Sequence, residues 1–259
     1  TIDGNAPVLI GERINPTGKP AMKRALQSGS VDYMLREAVK QQEAGAQVLD
    51  VNAGLPGIDE AAALLQLVQE IQAVSDLPLQ LDTANPNALE GAMRRYNGKP
   101  MINSVNGKQE SMDAVFPLVA KYGGVVVALT LDEAGIPPTA QGRVDVARKI
   151  MEEAARYGIS KRDIVIDPLT MAVSAEPDAA MVVLEALVRI RKGLGVHTGL
   201  GVSNVSFGLP KRGALNEAFF TLAAGAGLSS AIINPYAAEL MQAYHAVRAL
   251  FGQDTGCMG

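Results

Sequence analysis

The side chains of this sequence that are placed to do chemistry are neutral amides and carboxylates rather than nucleophiles. In the stretch 199–213, GLGVSNVSFGLPKRG, an apolar run ends in Ser203 and Asn204, and a glycine and proline loop with two cations follows. Ser206 has no neighbouring histidine and no G-x-S-x-G setting, so we do not expect a serine nucleophile. An asparagine offers a donor and an acceptor, so this stretch raises the question of what a neutral amide does.

Similar polar residues follow most of the other short apolar runs. The full set is Glu12, Arg13, Asn15, Asp50, Asn52, Asp82, Thr83, Asn85, Asn103, Ser104, Asn106, Asp167, Ser203, Asn204 and Asn234. Any one of them could cap a helix or form a turn, and Asn85-Pro86 and Asp59-Glu60 are best explained as helix starts. Because the pattern repeats along the chain, we expect the set as a whole to form one polar pocket.

The composition of this set narrows the ligand. Asparagine and aspartate together supply the donors and acceptors that pair with a flat heterocycle such as a pterin or a purine. Buried Asp82 and Asp167 would each need a donor, either from the ligand or from an arginine inside the fold. A phosphate is less favoured, because no glycine-rich turn opens a short helix after the later strands. Lys211 and Arg212 either bind an anion or form a solvated loop face.

Alternating strand and helix patterns position these residues. Eight apolar runs are typical of strands, at 8–15, 47–54, 77–84, 99–106, 125–132, 163–170, 198–205 and 229–236. Helical patterns lie between them, among others at 31–46, 59–74, 143–158 and 177–193. The glycines Gly45, Gly158 and Gly193 are predicted helix C-caps. This order predicts an α/β fold, a (β/α)8 TIM barrel of one domain over 1–259. A doubly wound sheet is the alternative, without a G-x-G-x-x-G motif to support it.

Composition excludes several classes of function. The chain has 259 residues and a net charge of −4 without a basic cluster, which argues against nucleic acid as a partner. No apolar run has the roughly 20 residues that span a bilayer, so we expect a cytoplasmic protein without membrane contact. Cys257 is the one cysteine, and His197 and His245 are interpreted as structural or surface residues. We therefore expect no protein-held metal.

The motifs at the strand ends resemble a known family. GERIN (11–15), LDVNAG (49–54), LDTAN (81–85), MINSVN (101–106), IDPL (166–169) and GVSNVSFGLPKR (201–212) are similar to the pterin-binding methyltransferases of one-carbon metabolism and O-demethylation. The resemblance covers essentially the whole chain. It implies a (β/α)8 barrel, commonly a homodimer, that transfers a methyl group between 5-methyltetrahydrofolate and a corrinoid (cobalamin) on a partner protein.

The resemblance also implies roles for single residues. Asp82, Asn103 and Asp167 correspond to residues that hydrogen-bond the pterin ring, and Asn204 to the residue that approaches N5. The other positions carried over are Gly201 and Ser203, which line the ring, Arg212, which matches an arginine after strand seven, and the possible additional residues Glu12, Asn15, Asp50, Asn106 and Phe207.

Two other functions remain open at this point. A dihydropteroate synthase would share the Asp and Asn pterin edge, but its first-loop motif NVTPDSF is missing from ERINPTGKPAMKRA. A folate-binding subunit without turnover is the second alternative, and the intact Asn204 loop argues against it. The segment 207–210 departs from the Gln-containing version of the acetogen enzyme, and we expect this segment to determine which corrinoid protein binds.

Overall fold

Eight parallel strands close into a barrel in the computed structural model of the chain, which describes residues 2 and 6–254. Each strand pairs with the next, and β1 pairs with β8, so the predicted (β/α)8 barrel is confirmed. The strands are β1 (Val8–Ile14), β2 (Val48–Val51), β3 (Leu79–Asp82), β4 (Met101–Asn106), β5 (Val125–Leu129), β6 (Ile164–Asp167), β7 (His197–Gly201) and β8 (Ser230–Ile233). The ends of the predicted domain, 1 and 259, and Cys257 lie outside the described residues.

Nine α-helices surround the strands in the described part of the chain. They are α1 (Pro20–Ser28), α2 (Asp32–Glu43), α3 (Glu60–Gln72), α4 (Pro86–Arg95), α5 (Gln109–Tyr122), α6 (Ala140–Arg156), α7 (Ala179–Arg189), α8 (Arg212–Gly225) and α9 (Ala238–Leu250). Helix α1 is an addition that the sequence analysis did not predict, so two helices follow β1. None of the described helices combines the length and the apolar character needed to cross a membrane.

Polar side chains start two of these helices as predicted. The Asp59 carboxylate accepts a hydrogen bond from the Ala62 amide at 3.1 Å and caps α3. The Asn85 side chain accepts one from the Asn87 amide at 3.0 Å and caps α4. Each cap satisfies an amide that a helix leaves without a partner at its first turn. Both residues therefore have a structural explanation that is independent of any ligand.

Glycines end helices at two of the three predicted positions. Gly45 and Gly158 follow α2 and α6 with φ values of +96° and +75°, which residues with a side chain rarely adopt. The prediction for Gly193 was wrong. The chain continues from α7 through a π-helical turn at Ile190–Leu194, and the left-handed residue is Gly195 with φ +64°. The wider turn moves the helix end two residues along the chain.

The barrel interior is apolar at its amino end and polar at its carboxyl end. The apolar layer consists of Ile10, Val48, Met101, Val127 and Val165. Because side chains of a strand alternate between faces, the residue two positions further on also faces inward. In four of the strands that residue is polar, namely Glu12, Asp50, Asn103 and Asp167, and in β5 it is Leu129. The same alternation that fills the barrel thus places polar groups at its mouth.

The second face of the strands is buried against the helices. Leu49, Leu81 and Ile102 are fully buried, and they belong to the same apolar cluster as Leu64 and Ile71 of α3. Complete burial of a side chain of this size contributes about 1.5–3 kcal/mol. This outer layer stabilises the barrel, and the mouth can therefore carry polar groups that do not contribute to the core.

Candidate active site at the barrel mouth

Strands β2, β3 and β4 bring three predicted site residues together. Asp82 of β3 lies opposite Asn103 of β4 in the strand register. Asp50 of β2 accepts a hydrogen bond from Gln80 Nε2 at 2.6 Å and is also hydrogen-bonded by the Asn103 side chain. Asn52 Nδ2 donates to Asp82 Oδ2 at 2.9 Å. The carboxylates are therefore held in place by neighbouring amides before any ligand binds.

Burial changes the acidity of these carboxyl groups. It raises the pKa of Asp50 well above its ordinary value, and the negative charge of Asp82 raises it further. Burial also raises the pKa of Asp82, while the hydrogen bond from Asn52 acts in the opposite direction. Two carboxylates that share a buried site are costly when both are ionised. A ligand that brings N–H donors into the mouth would lower that cost.

Asp167 occupies the corresponding position on β6. Its side chain is 8% exposed, and burial raises the pKa of this carboxyl to about 7. Oδ1 accepts a hydrogen bond from the Leu169 amide at 2.7 Å, and no described residue bonds Oδ2. Arg143 of α6 lowers the pKa through its charge, but its donors bond main-chain carbonyls rather than the carboxyl. Asp167 therefore retains an oxygen for a ligand.

Asn204 lies on a turn and not on a strand. The strand pattern at 198–205 predicts a seventh strand as far as residue 205, but β7 ends at Gly201 and Val202–Ser206 form a 3-10 helix. The reason is the spacing of Val202 and Val205, which are both buried and lie three residues apart, on one face of a 3-10 helix. This 3-10 helix turns Asn204 outward, so its side chain is exposed.

A glycine leaves room for the Asn204 amide. A Cβ atom at Gly201 would lie 2.9 Å from Asn204 Nδ2, closer than van der Waals contact allows. No described residue forms a hydrogen bond with the Asn204 side chain. The main-chain carbonyl oxygen of Asn204 accepts a hydrogen bond from the Phe207 amide at 3.2 Å. The amide is thus placed over the end of β7 with its donor and acceptor available.

Arg212 braces the 3-10 helix from the start of α8. Its Nη2 donates to the Ser203 carbonyl at 2.8 Å, and its Nε donates to the Ser206 hydroxyl at 3.0 Å. Ser206 donates in turn to Asn216 Oδ1 at 2.7 Å, so its hydroxyl has a structural role. The guanidinium carbon also lies 5.7 Å from the centre of the Phe207 ring. Arg212 is exposed, but its hydrogen bonds give it a structural role beyond that of a solvated loop residue.

Two cavities lie at the mouth of the barrel. One has a volume of about 490 Å³ and the other about 280 Å³. The larger cavity is lined among others by Asp82, Asn103, Ser104, Asn106 and Lys108, and the smaller by Glu12, Ser203, Arg212, Asn216 and Asn234. Residues of β3 and β4 thus face one cavity, and residues of β1, β8 and the 3-10 helix after β7 face the other.

The additional residues that the resemblance suggested differ in their settings. Burial raises the pKa of Glu12, which lines the smaller cavity. Asn15 and Asn106 accept hydrogen bonds from amides two residues further on, so both form local turns. Phe207 is 67% exposed. Of these side chains, the Phe207 ring is the one that a second protein could contact most readily.

Sequence reasoning missed two residues of the site. Gln80, which bonds Asp50, was detectable, because it precedes Asp82 by two positions and therefore faces the barrel interior. Arg143 had no comparable signal, since its helical pattern gives no indication of a buried cation. The two histidines lie elsewhere: His197 begins β7, at the opposite end of the barrel, and His245 is exposed on α9. No group of three or more metal-binding side chains occurs within residues 2 and 6–254.

Comparison with known proteins gives a consistent result. The profile described as pterin binding enzyme matches residues 11–234. The chain is 33% identical to the methylcorrinoid:tetrahydrofolate methyltransferase of Eubacterium limosum over 253 residues, which cover 96% of this chain and 93% of that protein. It is 32% identical to the methionine synthase of Mycobacterium tuberculosis over 240 residues, which cover 88% of this chain and 20% of that protein.

Solved structures support the fold. The dihydropteroate synthase of Yersinia pestis with a pterine-sulfa conjugate aligns with a TM-score of 0.75 and 18% identity, over 96% of both chains. That of Xanthomonas albilineans with 7,8-dihydropteroate aligns with a TM-score of 0.69 and 24% identity, over 96% of this chain and 94% of that one. At this level of identity the likeness concerns the barrel alone.

Proposed function

The chain belongs to the family of pterin binding enzymes and is a methyltransferase, and from this premise we propose that it transfers a methyl group between N5 of methyltetrahydrofolate and the cobalt of a corrinoid carried by a partner protein. The observation that carries the proposal is the match over 96% of this chain with a methylcorrinoid:tetrahydrofolate methyltransferase. One site serves both directions of transfer, because the same groups stabilise one transition state.

The binding step belongs to the buried carboxyl groups. Asp82, Asn103 and Asp167 hold the pterin edge, with the carboxylates accepting the ring N–H and amino donors. The raised pKa values of Asp82 and Asp167 support this role, because a donor from the ligand compensates for the burial of each charge. Gly201 and Ser203 lie along the other side of the ring.

The chemical step belongs to Asn204. The methyl group leaves N5 readily only when this nitrogen gains positive character, by a proton or by a hydrogen bond that strengthens in the transition state. The Asn204 amide donates to N5, and its lack of a described partner supports this role. The nucleophile would be the cobalt(I) of the corrinoid that the partner protein carries. A fixed amide dipole suits this task because it needs little reorganisation during the reaction.

The partner protein approaches the barrel mouth at the exposed side, where Asn204 and Phe207 lie. Asn204 and Phe207 are exposed there, and the segment 207–210 selects the corrinoid protein. The assembly proposed from the family resemblance is a cytoplasmic homodimer in which residues 1–259 act as one domain. A methyl donor upstream, such as an aryl methyl ether in O-demethylation, would load the corrinoid protein.

A direct assay tests the proposed function. The purified protein is mixed with methyltetrahydrofolate and cob(I)alamin, and methylcobalamin formation is followed by absorbance. Many turnovers per protein molecule are expected. A yield limited to one methyl group per protein would indicate a folate-binding subunit, and product formation from p-aminobenzoate and a pterin would indicate a dihydropteroate synthase. Either outcome would contradict the proposal.

A further inference from the structure

Arg143 is a buried cation that no described carboxylate contacts directly. Its side chain is 1% exposed and is the largest of the fully buried side chains. Nη1 donates to the carbonyls of Pro168 and Leu169 at 2.6 and 2.7 Å, and Nε donates to the carbonyl of Pro137 at 3.1 Å. Burial of a guanidinium is costly unless its donors are satisfied. Here main-chain oxygens of two loops accept hydrogen bonds from Nε and Nη1.

One of these loops carries a left-handed residue. Leu169 has a φ of +63°, a conformation that costs a residue with a side chain about 1–3 kcal/mol and persists only where its surroundings enforce it. The Leu169 carbonyl is held by Arg143, and its amide donates to Asp167 Oδ1 at 2.7 Å. The same residue thus connects the buried cation to the carboxyl group at the mouth.

We propose that Arg143 is a positioning residue, which fixes the turn at Pro168 and Leu169 and thereby orients the Asp167 carboxyl toward the ligand. This inference rests on the proposed function, since it assumes that Asp167 binds the pterin. Because Arg143 is 1% exposed, this role is exerted through the turn and not by contact with the ligand. Because Pro137 follows β5, the guanidinium also fixes the loop after β5 relative to the turn after β6.

The charge of Arg143 has a second effect on Asp167. Among the described residues, Arg143 is the charged group that acts on the Asp167 carboxyl, and it lowers a pKa that burial raises to about 7. Glu176, in the segment before α7, acts in turn on Arg143. The cation therefore favours the ionised carboxylate, which is the form that accepts N–H donors. Geometry and charge can be separated by substitution.

Arg143→Lys and Arg143→Gln make this separation. Lysine keeps the charge but cannot span three carbonyls with one ammonium group, whereas glutamine loses the charge as well. The matched control is Arg156→Gln, an exposed arginine of the same helix that pairs with Glu153. Circular dichroism and thermal melting establish that each variant is folded. Calorimetry with methyltetrahydrofolate at pH values on both sides of 7 then gives the affinity as a function of pH. The midpoint of this pH dependence is the pH at which the affinity has changed by half.

We expect different results for the two variants. Arg143→Gln should move the midpoint upward by about one pH unit, and both variants should bind about tenfold more weakly above the midpoint. Arg143→Lys and the control should keep the wild-type midpoint. A folded Arg143→Gln with wild-type midpoint and affinity would overturn the proposal. If this variant does not fold, wild-type affinity in Arg143→Lys has the same consequence.

A second measurement separates this inference from the proposed function. The Asp167 carboxyl of the free protein is titrated by carbon-13 NMR, with Asp167→Asn to assign its signal. A wild-type protein that does not bind methyltetrahydrofolate would contradict the proposed function, yet the titration would still test Arg143. An Asp167 titration that is the same in Arg143→Gln and wild type would show that Arg143 does not act on this carboxyl.

Discussion

The two sides of the barrel mouth are built differently. On the acidic side, Asp50 and Asp82 lie near the carboxyl ends of β2 and β3, are largely buried, and are each held by a hydrogen bond from a neighbour. Asp167 of β6, the strand beside β7, is buried and held in the same way. On the other side, Asn204 lies on a 3-10 helix, is exposed, and has a side-chain amide that no described residue bonds. The acidic side is fixed by the strands themselves, whereas Asn204 depends on Arg212 and Gly201 for its position.

This difference corresponds to a division between binding and chemistry. A ligand that brings hydrogen-bond donors stabilises the ionised form of a buried carboxyl group whose pKa is raised, and this stabilisation contributes to the binding free energy. Such groups are therefore suited to binding. An exposed amide is already solvated, so a ligand adds little to its stabilisation. Its contribution is to the reaction rate, through a dipole aimed at the atom where charge develops in the transition state. The exposed side is also the side that a second protein can reach. Four substitutions test this division.

The largest effect is expected for Asn204→Asp. A carboxylate at this position cannot donate to N5, so the rate of methyl transfer should fall about 10²–10³-fold, as for the loss of one transition-state donor. Folate affinity should change little. Stopped-flow absorbance with cob(I)alamin measures the rate, and Asn97→Asp, at an exposed asparagine on the opposite end of the barrel, serves as control. A rate equal to wild type would remove Asn204 from the mechanism.

For Asp82→Asn we expect a smaller effect, on the affinity for methyltetrahydrofolate and not on the transfer rate. The amide accepts fewer hydrogen bonds from the pterin, so the dissociation constant for methyltetrahydrofolate should rise about tenfold or more. The chain contains no tryptophan, and calorimetry is therefore the suitable measurement. Unchanged affinity in both Asp82→Asn and Asp167→Asn would show that the acidic side does not bind the pterin.

Gly201→Ala tests how the Asn204 amide is positioned. The new Cβ atom would lie 2.9 Å from Nδ2, so the amide must move, and a displacement of this kind should lower the transfer rate about tenfold. Because the displaced atom ends a side chain, the melting temperature should remain near that of wild type. A loss of folate affinity at an unchanged transfer rate would show that the new methyl group meets the pterin ring, which Gly201 lines, and leaves the Asn204 amide in place.

The smallest effect concerns stability. The folded-state pKa of Asp167, about 7, lies above its ordinary value of 3.8, so this carboxyl destabilises the fold most above pH 7 and progressively less as the pH falls toward 4. Asp167→Asn should stabilise the free protein at pH 8 by about 1 kcal/mol, less than the full linkage value because the new amide must find partners. Urea unfolding at pH 8 and pH 4.5 measures the difference, which should shrink at the lower pH.

Asn204→Ala is the comparison for this stability measurement. Its exposed amide has no described partner, so the substitution should leave the free energy of unfolding unchanged at both pH values. A stabilisation by Asp167→Asn that does not depend on pH would contradict the raised pKa.

The barrel was predictable from the sequence because each strand and helix has its own local pattern. Asp50, Asp82, Asn103 and Asp167 were found for the same reason, since each follows the apolar residues of a strand, whose pattern identifies its direction. The 3-10 helix that carries Asn204 was not found, because Val202 and Val205 continue the apolar pattern of the strand before it.

Contacts between distant segments were beyond sequence reasoning. Arg143 lies on an ordinary helical pattern, and its importance depends on carbonyls at residues 137, 168 and 169, which only the folded chain brings to it. The two cavities were missed for a similar reason. The strand ends show which residues reach the mouth, but not how side chains divide the space between them.

The most direct test of the division between binding and chemistry is a paired single-turnover experiment on Asp82→Asn and Asn204→Ala. The rate of methylcobalamin formation, measured against methyltetrahydrofolate concentration, gives the half-saturating concentration and the limiting rate from one curve. We predict that Asp82→Asn raises the half-saturating concentration and keeps the limiting rate, and that Asn204→Ala lowers the limiting rate and keeps the half-saturating concentration. If both variants changed the same quantity, the two sides of the mouth would not have separate roles.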